Sequence, residues 1–539
     1  MRRAGWLTLL LAVALALPTM AAAADSPAKI TAAEAEKVAN LDPNAVKERA
    51  ENHGVTSSAS MVDGNWEVAY FADGKEVALV IVDPTTGLVR ESWTGYQVAW
   101  KMARGYPGAF GHKLDAPYVF LPLCALFLVG LADWRRRWRI ANLDLAVLLS
   151  FGISHFFFNR TEIGVSVPLQ YIPLVYLFGR ALWIGFHGRG EGLRPVWPAA
   201  WLLVAALFLI GFRVGLNIAD SGTIDVGYAS VVGADRISHG EPIYGNFPDD
   251  VSQGDTYGPV NYFAYVPFER IWPWSGSWDD LPAAHGAAVF FDLMTFALLL
   301  FLGRRIRPGP EGQKLAATLA FGWAAYPYTA FTLESNSNDS LVAMLLVATL
   351  LILARPAARG AMAALATFAK FAPAVLAPML LTYGPKRWRF AAAFVLTSAL
   401  AMLWALLDPG LHTFYERTIA YQAGRDSPFS IWGQAPALEP LRIAILVGTG
   451  ALSLLFAFRP RKKTLVQVAA LSAALLLGIQ LTMHHWFYLY IVWFFPLLLV
   501  AMASLEKDPS PATGRLERGP SPARSSQQDP KGSPQPGRP

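Results

Sequence analysis

The 539-residue chain has one cysteine, Cys124, inside an apolar run, which excludes an internal disulfide and a cysteine-built metal centre. Charge is also scarce. Asp, Glu, Lys and Arg make up 16% of the residues, against about 25% in soluble domains, which argues against a water-soluble fold. The formal net charge of +6 is not a nucleic-acid signature, because Lys and Arg fall in short clusters between apolar runs rather than along one face. Repeats of about 20–50 residues are missing, which excludes a solenoid. No His, Asp and Glu grouping has metal-ligand spacing, so no metal or other cofactor is expected.

What the chain has instead is hydrophobicity, 54% of residues against roughly 45–50% in soluble domains. Apolar segments fall at 117–133, 141–158, 168–186, 198–218, 283–303, 314–332, 338–354, 388–407, 438–458, 464–482 and 485–505. With the broken segment described below, they predict an all-α polytopic membrane bundle of about 11–13 transmembrane helices.

Four regions follow from this pattern. Residues 1–24 read as a secretory signal: Arg2 and Arg3, an apolar core from Leu7 to Leu17, then small residues at Ala21 to Ala24. An uncleaved anchor is the competing reading. Residues 25–110 read as a small α+β domain. Thr31 and Glu34 fit a capping box, Asp42-Pro43 opens a second helix that Gly54 stops, and Trp66, Val68 and Tyr70 alternate as in a strand. Asp73-Gly74 marks a turn, Val77 to Val82 a strand, Asp83 to Gly87 a second turn, and Leu88 to Trp93 a last strand. Residues 117–505 hold the membrane domain, and 506–539 are too poor in apolar residues to fold.

Basic clusters set the expected topology. Arg135, Arg136, Arg137 and Arg139, then Arg304, Arg305 and Arg307, then Arg355 and Arg359, each follow an apolar segment and each should be cytoplasmic. Counting from an exported N-terminal domain puts all three inside and puts the tail in the cytoplasm of a multi-pass plasma-membrane protein. Residues 358–382 test the scheme, since Arg359 precedes them and Lys386, Arg387 and Arg389 follow. Two half-length helices broken at Lys370 to Pro373, a re-entrant hairpin, keep both clusters on one side. A kinked full span that violates the charge rule is the alternative.

The loop from Ala219 to Leu281 carries the opposite sign. Arg236 and Arg270 alone oppose Asp220, Asp225, Asp235, Glu241, Asp249, Asp250, Asp255, Glu269, Asp279 and Asp280. That balance places it outside, where a carboxylate near the membrane boundary can be tuned by partial burial. Other polar groups on the same side are Glu334, Asn336, Asn338 and Asp339, then Arg417, Arg425 and Asp426, then His484 and His485. Lys370 approaches from the broken segment as an ionisable group at membrane depth, with snorkelling as the plain explanation.

Five stretches together resemble the C-type glycosyltransferases, family 87 in particular: DVGYASVVGADRISHGEPIY (225–244), YGPVNYFAYVPF (257–268), SNSND (335–339), the KFAP segment (370–378) and HHWFYLYIVWFFP (484–496). Residues 25–110 lie outside that likeness and resemble a PepSY-like domain through V-D-x-x-T-G, with no catalytic constellation. The first likeness implies transfer of a sugar from a polyprenyl-phosphate donor to a lipid or cell-envelope glycan acceptor on the exported face. Asp225 matches the family's general base, with Asp220 in reserve. Arg425 and Lys370, with His484 and His485, would stabilise the departing phosphate. Tyr228, Tyr257 and Trp432 would stack on sugar, and Glu334, Asn338 and Asp339 would bind substrate. Membrane lipids are the remaining partner. A transporter or lipid flippase, or a sensor with a passive bundle, is the rival reading.

Overall fold

The computed structural model describes residues 30–62, 64–72, 75–94, 111–190, 192–248, 251–278, 280–407, 409–425, 427–505 and 537. The signal-like segment, the Asp73-Gly74 turn, Asp249, Asp250, Asp279, Asp426 and all of the tail but Gly537 lie outside them.

The N-terminal unit runs α1 (Ala32–Ala39), α2 (Pro43–Glu51), β1 (Thr56–Val62), β2 (Asn65–Ala72), β3 (Lys75–Val82) and β4 (Val89–Thr94). Thr31 and Glu34 form a reciprocal capping box at α1, and Asp42 caps α2 ahead of Pro43. The sheet is antiparallel in chain order. Val68, Tyr70, Ala78, Val80 and Val82 meet Ala35, Ala39 and Ala45 of the helices in one core. Asp83 closes the β3–β4 turn by accepting the Thr85 and Thr86 N–H groups, both at 2.8 Å, and Gly87 supplies φ +68°. β1 is the element the sequence pattern missed. TSSASMV is mostly exposed and is a strand because its ladder pairs with β2, not because it buries a face.

The larger unit is helical: α3 (Pro117–Leu131), α4 (Ile140–Phe158), α5 (Ile163–His187), α6 (Ala199–Asp220), α7 (Asp225–His239), α8 (Pro259–Glu269), α9 (Pro282–Ile306), α10 (Gly309–Ala325), α11 (Pro327–Glu334), α12 (Asp339–Leu351), α13 (Pro356–Ala369), α14 (Ala377–Thr382) and α15 (Arg387–Leu407). Short turns α16 (Leu411–Tyr415), α17 (Tyr421–Gly424) and α18 (Ile431–Gln434) lead to α19 (Glu439–Phe458), α20 (Leu465–Gln480) and α21 (Ile491–Ser504). Among the described residues, six helices are long and apolar enough to cross a membrane: α4, α5, α6, α9, α15 and the stretch Pro436–Phe458. Shorter apolar helices fill the bundle between them, which marks the chain as a multi-pass membrane protein.

Two breaks shape the bundle. The apolar run at 314–332 splits at Tyr326, where Pro327 starts α11. Arg213 of α6 meets the carbonyls left there, donating to Trp323 O at 3.1 Å and Thr329 O at 3.1 Å, while Asp292 of α9 balances its charge. The second break is at Lys370–Phe371, between α13 and a 3₁₀ turn at Ala372–Leu376 that runs into α14. Here the ends of the segment meet. Arg359 near the start of α13 donates to Leu380 O in α14 at 3.0 Å and to Tyr383 O just past it at 2.8 Å. The two ends of the segment are therefore joined, with Lys370 at the break between them.

Candidate functional site

The ESNSND turn between α11 and α12 is a buried scaffold for the start of α7. Gly222 and Ile224 donate backbone N–H groups to Glu334 O (3.3 Å) and Ser335 O (3.0 Å). Asn336, in the left-handed region at φ +47°, donates from Nδ2 to Ser221 Oγ (3.1 Å) and Gly222 O (2.9 Å). Its Oδ1 accepts from Asn217 Nδ2 at 2.9 Å. Gly227 completes the seat, because a Cβ there would lie 2.3 Å from Asn336 O. Asn338 Nδ2 donates to Ser230 Oγ at 3.2 Å, tying the next turn of α7 to the same loop.

This seat fixes Asp225 as the first residue of α7, its Oδ1 accepting the Val226 N–H at 2.8 Å. The side chain is exposed, with the charges of Arg425, Lys370 and Asp339 acting on it. Loss of water raises its proton affinity above the ordinary carboxylate range. Arg425, the Val226 N–H and Lys370 pull it back, and Asp339 adds to the rise. Among the described residues, no ion-pair partner occupies the carboxylate.

Facing it is a cluster drawn from five distant segments. Lys370 sits 2.5 Å from Asp339 Oδ1, and the rings of Tyr257, Tyr490 and Trp493 surround its ammonium at 5.1, 5.5 and 5.2 Å. Trp493 Nε1 donates to the same Asp339 oxygen at 2.7 Å, and Ser337 Oγ donates to the other. Asp339 thus neutralises Lys370 inside an aromatic cage. Arg425 is half-buried and makes no hydrogen bond or ion pair among the described residues, though its charge acts on Asp225, Tyr257, Tyr490 and His485. His485 shares a hydrogen bond with Ser427 (Nδ1 to Oγ 2.9 Å) and packs edge-on against Phe429.

A clasp between two loops carries this cluster. Asp255, fully buried, accepts from Gly245 N–H (2.6 Å) and Arg417 Nε (2.7 Å), and Gln422 Nε2 donates to Thr256 Oγ1 at 2.7 Å. Tyr257 follows Thr256 directly, and Arg425 lies three residues past Gln422. Arg417 sits in a π-helical turn, Glu416–Ala420.

Asp225, Tyr257, Asp339, Lys370, Arg425 and His485 therefore share one neighbourhood. The other sequence candidates are elsewhere. Asp220, at the end of α6, lies 3.8 Å from His112 and 3.7 Å from Lys113. Tyr228 is buried under Trp278 and Trp274, with ring centroids at 4.8 and 5.9 Å, and has no face for a sugar. Trp432 is likewise buried, donating to Leu481 O. His484 faces Glu439 at 3.7 Å, a carboxylate that Arg442 already holds. Glu334 is buried beside the Arg213 charge, with neither oxygen bonded among the described residues. Asn338 is a fastener for α7.

Tyr490 and Trp493 were not singled out from sequence, and Asp255 and Arg417 were named there as loop charges without being paired. The spacing of Tyr490 and Trp493 was available as a signal, since residues three apart share a helix face. Asp255 and Arg417 are 162 residues apart and gave no local sign. Among the described residues, no group of three His, Cys, Asp or Glu side chains is placed to hold a metal.

No family model matches the chain, and no curated protein and no solved structure matches it.

Proposed function

We propose that the chain is a membrane glycosyltransferase of the C-type architecture, moving a sugar from a polyprenyl-phosphate donor to a lipid or cell-envelope glycan acceptor. The observation that carries this reading is an exposed carboxylate, Asp225, that no ion pair occupies among the described residues, in the field of Arg425, which likewise makes no ion pair among them. Asp225 takes the proton of the acceptor hydroxyl, whose oxygen attacks the anomeric carbon of the donor. The bond from that carbon to the phosphate oxygen breaks, and the lipid phosphate leaves with the electron pair. Arg425 stabilises the developing negative charge. Lys370 acts through its cage, because Asp339 already balances it.

Topology fits the same reading. At one end of the bundle Arg359 donates to the carbonyls of Leu353, Leu380 and Tyr383, while Thr382 and Lys463 both donate to Ala457 O. That end collects the Arg and Lys clusters and is assigned to the cytoplasm; the Asp225 end is assigned to the exterior. Pro356–Thr382 is then a re-entrant hairpin whose irregular turn lines the cavity, and about 11–13 membrane segments result. The 25–110 domain, PepSY-like and exported, is an accessory. A caged cation at a hairpin turn also suits a transporter of lipid phosphates.

One assay separates the two readings. Full-length protein in vesicles is given lipid-phosphate mannose, arabinose or glucose, and both a new glycosidic bond and donor crossing are measured. Bond formation without crossing supports transfer. Crossing without a new bond supports transport and overturns transfer.

A further inference from the structure

At the bundle end opposite Asp225, a cavity of about 540 Å³ opens between the α5–α6 linker, the first turns of α10 and Leu505. Among the described residues its rim carries Arg194, Arg307 and Lys314, and one carboxylate, Glu311. Arg307 is held in place, Nη2 donating to Ser504 O at 3.2 Å and Leu505 O at 3.4 Å, while Nη1 stands 4.0 Å from Glu311. The floor is apolar, formed by Leu193, Leu315 and Ala503.

The surroundings set the depth of this cavity in the bilayer. Arg139 donates to Gly192 O at 2.7 Å beside the linker, and brings the exposed turn Arg135–Arg137 next to it. Exposed tryptophans ring the same edge. Trp138 is 94% exposed, and Trp134 and Trp197 both donate Nε1 to Val129 O, at 3.1 and 2.8 Å. Tryptophan and arginine side by side on an exposed edge mark the headgroup layer.

We propose that this cavity binds the headgroup of an anionic phospholipid, with phosphate on the Arg194, Arg307 and Lys314 rim and the glycerol end against the apolar floor. Free phosphate would satisfy the rim and leave the floor bare. Basic pockets between membrane helices on the cytoplasmic side suit this ligand chemistry. The site is independent of the transferase reading.

The test uses full-length protein in nanodiscs of phosphatidylcholine with phosphatidylglycerol, washed in detergent and weighed by native mass spectrometry. Wild type retains phosphatidylglycerol in preference to phosphatidylcholine. Arg194→Gln with Lys314→Gln lowers that preference about tenfold, since each basic residue at an anionic surface contributes measurably. The charge-keeping pair Arg194→Lys with Lys314→Arg preserves it, as does Arg461→Gln with Lys462→Gln at the same end. Equal retention of the two lipids in wild type overturns the proposal. So does an equal loss in the Arg461/Lys462 pair, or displacement of the retained lipid by millimolar inorganic phosphate.

Discussion

Arg417 Nε donates to Asp255 Oδ2 at 2.7 Å across 162 residues of sequence, and this contact joins the loop that carries Arg425 to the loop that carries Tyr257. Asp255 is fully buried while Arg417 is partly exposed. Arg417→Gln strips a buried carboxylate of its cation, at a cost of about 2 kcal/mol to the local clasp. Hydrogen exchange should rise across 251–257 and 417–425, and transfer should fall about tenfold with Asp225 untouched. Asp255→Asn in the Arg417→Gln background should lose little more, because the two residues act as one unit.

Gly227 gives a second prediction. A Cβ at this position meets Asn336 O at 2.3 Å and Thr223 Cγ2 at 2.8 Å, and the first is backbone that cannot swing aside. Gly227→Ala displaces the first turn of α7, and so Asp225. Misplacement of a base by about 1 Å can cost on the order of a hundredfold in rate. The expected outcome is a large fall in kcat in a protein that still elutes as a folded monodisperse species.

Much of the architecture could be read from residue patterns, and less of the site. The capping box at Thr31, the turn at Asp83 and the break near Lys370 are local, written in residues within a few positions of each other. β1 was missed because an exposed edge strand leaves no apolar alternation. Site membership depends on direction, which neighbours in sequence do not share: His485 turns to Ser427 while His484 turns to Glu439. Asp220 and Asp225 part in the same way, one closing α6 toward Lys113 and the other opening α7 toward Arg425. The Lys370–Asp339 pair needs the hairpin and α12 packed together before it exists.

That pair makes a third prediction. Removing one partner of a buried ion pair strands the other charge, at about 3–5 kcal/mol. Lys370→Met and Asp339→Asn should each lower the unfolding temperature in detergent sharply. The double variant Lys370→Met with Asp339→Leu should recover much of the loss while transfer stays impaired.

Side assignment is tested by cysteine labelling in a Cys124→Ala background. Gly384 lies in an exposed turn after α14, and Gln253 is exposed on the loop before α8. Cysteine at 384 should react only with reagent reaching the cytoplasmic face, and cysteine at 253 only from outside. Labelling of both from one side would break the re-entrant hairpin assignment.

The proton on Asp225 has a defined sign. Its affinity is raised in the folded protein, chiefly by loss of water, so the native state holds this proton to higher pH than the unfolded chain does. Stability from this group is complete below the ordinary carboxylate pKa, about 4, and is lost as pH rises through the raised folded value. Activity runs the other way, since a base must be ionised. Arg425→Gln removes the largest opposing charge and should shift the acid limb of the rate profile to higher pH.

Single-turnover transfer by Asp225→Asn, beside wild type and Asp225→Glu, tests the central claim most directly. The account predicts loss of at least about a hundredfold in the Asn variant, the scale of general-base catalysis, with donor binding and thermal stability kept or raised and partial recovery in the Glu variant. Transfer at the wild-type rate in the Asn variant would contradict it.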